Sequence, residues 1–185
     1  MDRVVSPRGK VTWAYIDRPD TKFSDEGEYR LAFSIPRKDA KKFAKKFMAQ
    51  IDEWMDTSLK DSGAKKQADP PYTEDGDDVL FKFKQKPFFK GKNGEKRKVT
   101  IRLIDSKLHP CSASIGKGSE VKVSFRPVTW MVQGGAGVTM YMDAVQIINL
   151  IPYNPIADMG FEEEEGFEDD SDSTSMEFKE EDEDF

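Results

Sequence analysis

The chain of 185 residues contains one cysteine, Cys111, one histidine, His109, and no apolar run approaching the length of a membrane span. A single cysteine excludes an intramolecular disulfide, and one Cys beside one His cannot build a metal cluster of the usual spacing. A bilayer crossing needs roughly 20 apolar residues, and Met1-Asp2-Arg3-Val4-Val5-Ser6-Pro7 has no apolar core of signal-peptide length. The expectation is a soluble, cytosolic chain with no metal and no cofactor. Catalytic signals are equally scarce. A lone histidine serves no triad, and no nucleophile motif is present. Gly134-Gly135-Ala136-Gly137 lacks the Lys-Ser/Thr of a phosphate loop and reads as a flexible turn. The chain does not read as an enzyme.

Charge is abundant and unevenly placed. Asp158 to Phe185 holds fifteen Asp and Glu against one Lys, so residues 1–157 carry 28 basic against 20 acidic side chains, a net of +8 hidden beneath the overall −6. A basic body suits a polyanion, and an acidic tail can compete for the same surface or recruit basic partners. Residues 1–157 are the size of one domain. Fifteen like charges repel, and the residues between them cannot form a core, so 158–185 is expected to be disordered.

Within the body, Val11-Thr12-Trp13-Ala14-Tyr15-Ile16 and Tyr29 to Ile35 read as strands, joined through turn residues Arg18-Pro19-Asp20 and Ser24-Asp25-Glu26-Gly27. Phe43, Phe47, Ile51, Trp54, Met55 and Leu59 then recur at spacings of three and four. They predict an amphipathic helix, capped by Asp39 and ended by Ser62-Gly63. Residues 60–78 read as a long loop. Strand signals resume at Val79 to Lys86, turn at Gly91-Lys92-Asn93-Gly94, and continue through Lys98 to Ile104, Val121 to Phe125 and Val138 to Ile151. Six short strands and one helix, without crossover helices, favour a mainly β fold. The leading candidate is the OB-fold, a partly open Greek-key barrel, with a sandwich or an SH3-like barrel not separable by pattern alone.

Ten Lys or Arg and only two acids lie between Lys82 and Lys107, which makes the two expected hairpin arms strongly basic. Alternation sends Lys82, Lys84 and Lys86 to one face and Phe81 and Phe83 to the core. Phe88, Phe89, Lys90 and Lys92 follow, with Arg102 and Lys107 on the second arm. Basic side chains tracking a phosphate backbone, beside aromatic faces that accept any base at about 1–3 kcal/mol per stack, are what sequence-tolerant single-strand binding requires. Lysines on an exposed hairpin also keep strand edges from pairing with other chains, so both readings stand. Trp13, Tyr15, Arg18 and Phe23 form a second group. Trp13 and Tyr15 are stacking platforms if Ala14 and Ile16 face the core, and core or interface residues otherwise. Trp130 is a third platform, a barrel plug or a dimer contact. The helix lysines read as a solvated face.

The colinear set Trp13-Ala14-Tyr15-Ile16, Arg18-Pro19-Asp20, Ile35-Pro36, Lys38-Asp39, Phe81-Lys82-Phe83-Lys84, Asp105-Ser106-Lys107, Pro127 with Trp130, and the ending Glu181-Asp182-Glu183-Asp184-Phe185 resembles the replication single-stranded DNA-binding proteins of short-tailed, T-seven-type bacteriophages. The resemblance implies an OB-fold with a packed helix, a homodimer, and work in DNA replication, recombination and repair. It further implies a tail that docks on the phage DNA polymerase and primase-helicase and helps the dimer by occupying a partner's DNA groove. It places Trp13, Tyr15 and Arg18 on an aromatic platform and the lysines at 82, 84, 86, 90 and 92 on a basic hairpin. The loop 60–78, the segment 108–118 and the sparse basic start (Arg3, Arg8, Lys10) depart from the family. Two alternatives remain at this level: an acidic-tailed interaction protein that binds basic partners, and an RNA-binding OB protein.

Overall fold

The computed structural model describes residues 2–22, 25–39, 44–91, 93–132, 135–158 and 165. They form strands β1 (Val4–Val5), β2 (Gly9–Asp20), β3 (Glu28–Pro36), β4 (Tyr72–Asp75), β5 (Asp78–Gln85), β6 (Phe88–Lys90), β7 (Lys96–Lys98), β8 (Arg102–Ile104), β9 (Glu120–Val132) and β10 (Gly135–Asn149). The helices are α1 (Arg37–Asp39), α2 (Lys45–Ser62) and α3 (Pro155–Asp158). Residues Met1–Asn154 make one compact unit and Pro155–Phe185 a second, in which α3 is the described helix.

Strands β2, β3, β5, β10 and β9 pair in that order, and β9 pairs back onto β2 to close a five-stranded ring. Four junctions are antiparallel and one, β5 with β10, is parallel. This is the OB-type Greek-key barrel expected from the short strands. Its two seams are thin. The β2–β9 seam holds the pairs Gly9↔Val121 and Lys10↔Glu120, and the β5–β10 seam the pair Tyr141↔Lys84. Buried Gln85 stitches the second seam, its amide donating to the Met142 carbonyl at 3.1 Å while its own oxygen accepts from the Lys86 N–H.

Alternation builds the interior. Tyr29, Leu31, Phe33, Val79, Phe81, Phe83, Val121, Val123 and Phe125 all point inward and are almost fully buried. Phe33, Phe81, Phe83 and Phe125 meet at centroid distances of 5.2–5.7 Å. Gly9 belongs to the same packing, because a Cβ there would sit 2.1 Å from the Phe33 ring. Helix α2 lays Phe47, Ile51 and Met55 over one opening of the barrel, with Phe47 5.0 Å from Phe81 and 5.8 Å from Phe125. Buried Ser58 donates to the Gly137 carbonyl at 3.0 Å and ties the helix to β10.

Several sequence expectations change. The helix ends at Gly63 as expected, in the left-handed conformation (φ 64°), but Asp39 closes the short turn α1, and Ala44 precedes α2 without a side-chain cap. Residues 60–78 are not all loop, since Tyr72–Asp75 pairs with β5. Its polar sequence, lying at an edge, carries little apolar signal. Strand β2 runs on through Arg18-Pro19-Asp20, where a turn was expected, and Asp20 pairs with Glu28. The basic stretch is not one long hairpin. Strands β5 and β8 each pair in parallel with β10, and the true hairpin is the short β6–β7 ribbon. The expected disordered tail, Asp158 and Glu165 apart, lies outside the described residues, as do Phe23, Phe43, Lys92 and the ending Glu181, Asp182, Glu183, Asp184 and Phe185.

Candidate nucleic-acid interface

The outer face of β5 is the basic one. Phe81, Phe83 and Gln85 are buried, Lys82 and Lys86 are exposed, and Lys84 is half-buried between them. Trp13 reaches the same face through an irregularity in β2. Strict alternation would put Val11 and Trp13 on one side, but the register shifts between them, from Val11↔Phe33 to Trp13↔Ala32. That bulge leaves Val11 in the core and turns Trp13 outward. Tyr15 follows at 46% exposure, its ring 6.3 Å from that of Trp13. Ile16 is buried and Ala14 packs against the core, so the rings of Trp13 and Tyr15 lie on the outward side of β2.

Trp13, Arg30, Lys82 and Lys84 thus line one open cleft of about 410 Å3, floored by Phe83, Thr139 and Met140. Its cations are partly matched by acids at the facing ends of β2 and β3. Glu28 accepts from Arg30 at 3.0 Å and from Lys84 at 3.3 Å, Asp20 meets Arg30 at 3.5 Å, and Lys82 donates to the Thr73 hydroxyl at 3.1 Å. Across the turn, Lys96 donates to Glu26 at 2.6 Å, and that bond holds the Glu26 carboxyl below its ordinary value.

The β6–β7 ribbon carries Phe88, Phe89, Lys90, Lys96, Arg97 and Lys98. Phe89 is 62% exposed, and the Lys96 ammonium sits 4.4 Å above the Phe88 ring. A second cleft of about 530 Å3 opens between this ribbon and the barrel wall, lined by Lys86, Phe88, Phe89, Arg97, Arg126 and Tyr141 among others. Arg18 is exposed near the end of β2, beyond Tyr15. Arg102 lies exposed on β8, and Lys107 lies in the turn after it, away from both clefts. Trp130 is half-buried across its β10 partner Gly137, whose missing Cβ leaves room for the indole; a Cβ there would stand 2.6 Å from the ring. Among the described residues, no helix is long and apolar enough to cross a membrane, and no group of His, Cys, Asp and Glu is placed to hold a metal ion.

A family model described as single-stranded DNA-binding protein, bacteriophage T7, matches residues 9–150. The chain belongs to that family. Among solved structures, gp2.5, a single-stranded DNA-binding protein encoded by bacteriophage T7, is 23% identical with a TM-score of 0.66, the match covering 82% of this chain and 93% of that one. The single-stranded DNA-binding protein of bacteriophage Enc34, in complex with single-stranded DNA, is 11% identical with a TM-score of 0.59 over 82% and 89% of the two chains. No curated protein sequence matches significantly.

Within this family fold, the sequence reading passed over Arg30 and Tyr141 and counted Arg97 only among the basic residues of 82–107. Arg30 was available from alternation, since Tyr29 and Leu31 beside it are core. Tyr141 was not, because Val138 to Ile151 reads as a mostly apolar strand and only the register shows which side chains share the face of Lys84.

Proposed function

We propose that the protein binds single-stranded DNA without sequence preference, in phage DNA replication, recombination and repair. The observation that carries this reading is the cleft in which Trp13 meets Arg30, Lys82 and Lys84 on the outer face of a family barrel. Cations there meet the phosphates, and Trp13 and Tyr15 stack on bases. Phe88, Phe89, Lys86 and Lys90, with Lys92, extend the same surface, and Arg18, Arg102, Lys107 and Trp130 are outlying contacts. Binding alone is the activity; there is no catalytic role. The segment 158–185 acts as a tethered polyanion at a millimolar-range effective concentration and competes with DNA for the basic face. Its end, Glu181 to Phe185, recruits the polymerase and primase-helicase, and the working unit is a homodimer in the host cytoplasm. The charge split, +8 on 1–157 against fifteen acids beyond it, supports this role.

The test is a titration of labelled oligo-dT with the full chain and with residues 1–157, with double-stranded DNA as competitor. Affinity is expected to fall by about one log unit per log unit of salt for each phosphate neutralised. It is expected to rise on truncation, and to drop for Lys82→Glu with Lys84→Glu whatever the sequence. Affinity indifferent to salt, or no binding by either form, would turn the assignment toward a protein whose acidic tail binds basic partners. Preference for oligo-U would turn it toward RNA.

A further inference from the structure

The strand registers define a line that no single strand reveals. Tyr15 pairs with Arg30, Arg30 with Lys84, Lys84 with Tyr141, and Tyr141 with Arg126. Directly paired residues share a face of a sheet, and burial agrees with the register. All five side chains are exposed or half-buried, while Tyr29, Leu31, Phe83, Gln85, Met140, Met142, Phe125 and Pro127 beside them are buried. The row crosses five strands at about 4.8 Å each, so Tyr141 lies roughly 14 Å from Tyr15 across the sheet. Aromatic, cation, cation, aromatic, cation is the order along it.

Tyr141 and Arg126 also line the second cleft, opposite Phe88 and Phe89. Arg126 is held there by two bonds of 3.0 Å to Asp143, and Arg3 donates to the same carboxylate at 3.0 Å. Two guanidinium groups on one carboxylate leave a unit of positive charge over. Asp143 stands where the β9–β10 register slips between Met142 and Ala144, a bulge that sets the carboxylate within reach of both arginines.

We infer that the cleft between the β6–β7 ribbon and the barrel is a second nucleotide subsite, in which a base stacks on Tyr141 and its phosphate meets Arg126. The inference rests on the single-strand-binding reading and adds a direction to it. The DNA runs across the strands from the Trp13 cleft, over Lys84, to Tyr141. Asp143, itself lining the cleft, fixes the Arg126 guanidinium there.

The full chain and its Tyr141→Leu, Tyr141→Phe and Trp13→Leu forms would be titrated with labelled oligo-dT of about 16 nucleotides, the upper range for one such barrel. Tyr141→Leu keeps an apolar side chain but no ring. It is expected to weaken binding about tenfold, the size of one lost base stack, with Tyr141→Phe recovering most of the loss. A wild-type affinity for Tyr141→Leu, with Trp13→Leu weakened, would overturn the subsite and leave the parent reading standing; no binding by the unaltered chain would remove both. Photocrosslinking of the unaltered chain to 5-iododeoxyuridine oligonucleotides decides the matter even if Tyr141→Leu fails to fold. Adducts on Tyr141 support the subsite, and adducts that mark Trp13 and Tyr15 but spare Tyr141 overturn it.

Discussion

Glu28 is the residue at which the resting electrostatics of the interface are set. Its carboxylate lies between Arg30 and Lys84, the two central cations of the cross-strand row, and on the proposed binding mode it competes with a phosphate for them. Replacing it by Gln keeps the shape and removes the competing charge. Glu28→Gln is expected to tighten oligo-dT binding by up to about fivefold, the scale of one surface ion pair near 1 kcal/mol. Weaker binding in the same titration would mean that Glu28 positions the two cations rather than competing for them. The phenol of Tyr72 offers a separate check on the β4 edge. It donates to Asp52 on α2 at 2.8 Å, and burial first, that bond second, push its pKa from 10.0 up to about 12. A raised folded value favours the folded state below the unfolded pKa, and the contribution fades as pH rises from 10.0 toward about 12. Absorbance titration should therefore show Tyr72 ionising late, with the upward shift reduced but not abolished in Asp52→Ala because burial remains; ordinary titration near 10 would show that the contact is not maintained.

At the scale of elements, much of the fold could be read from alternation and helical spacing, since Phe81 to Gln85 and Phe47 to Met55 bury the residues those periods select. What escaped were departures from regularity. The bulge after Val11 decides that Trp13 faces outward, and the one at Asp143 decides where two arginines meet, yet neither has a mark in composition. Pairing partners escaped as well. Strand β5 resembles the first arm of a hairpin until β10, more than fifty residues on in the chain, proves to be its neighbour. The glycines carry a testable part of this architecture. Gly9→Ala would drive a methyl into the Phe33 ring and is expected to cost about 1–3 kcal/mol in urea unfolding, the usual range for overpacking. Gly137→Ala would instead lift the indole of Trp130 off β10, readable as a red shift of tryptophan emission with a smaller loss of stability. Equal stability of Gly9→Ala and the parent would mean that the ring has room to move.

For the whole molecule, the governing quantity is the segregation of charge between residues 1–157 and the acidic remainder. If the tail competes by attraction to the basic face, salt weakens that competition along with DNA binding, because the screening length shrinks from about 10 Å at 0.1 M to about 3 Å at 1 M. The gain in affinity on deleting 158–185 should accordingly be largest at low salt and vanish at high salt. A gain independent of salt would point to a shape-specific contact by the tail instead. The closed ring has a consequence of another kind, in time rather than in energy. The barrel's fifth strand, β10, is also its last to be synthesised, and both its pairing with β5 and the row through Tyr141 join residues far apart in the chain. Long-range pairings of this sort form late, since distant segments must first be brought together. A ribosome-bound chain that has made β2, β3 and β5 already displays most of its lysines but not the cross-strand row that runs through Tyr141. Synthesis of β10 is thus the step that completes the row from Tyr15 to Arg126, and a chain that stops short of it lacks Tyr141 and the pairing with β5.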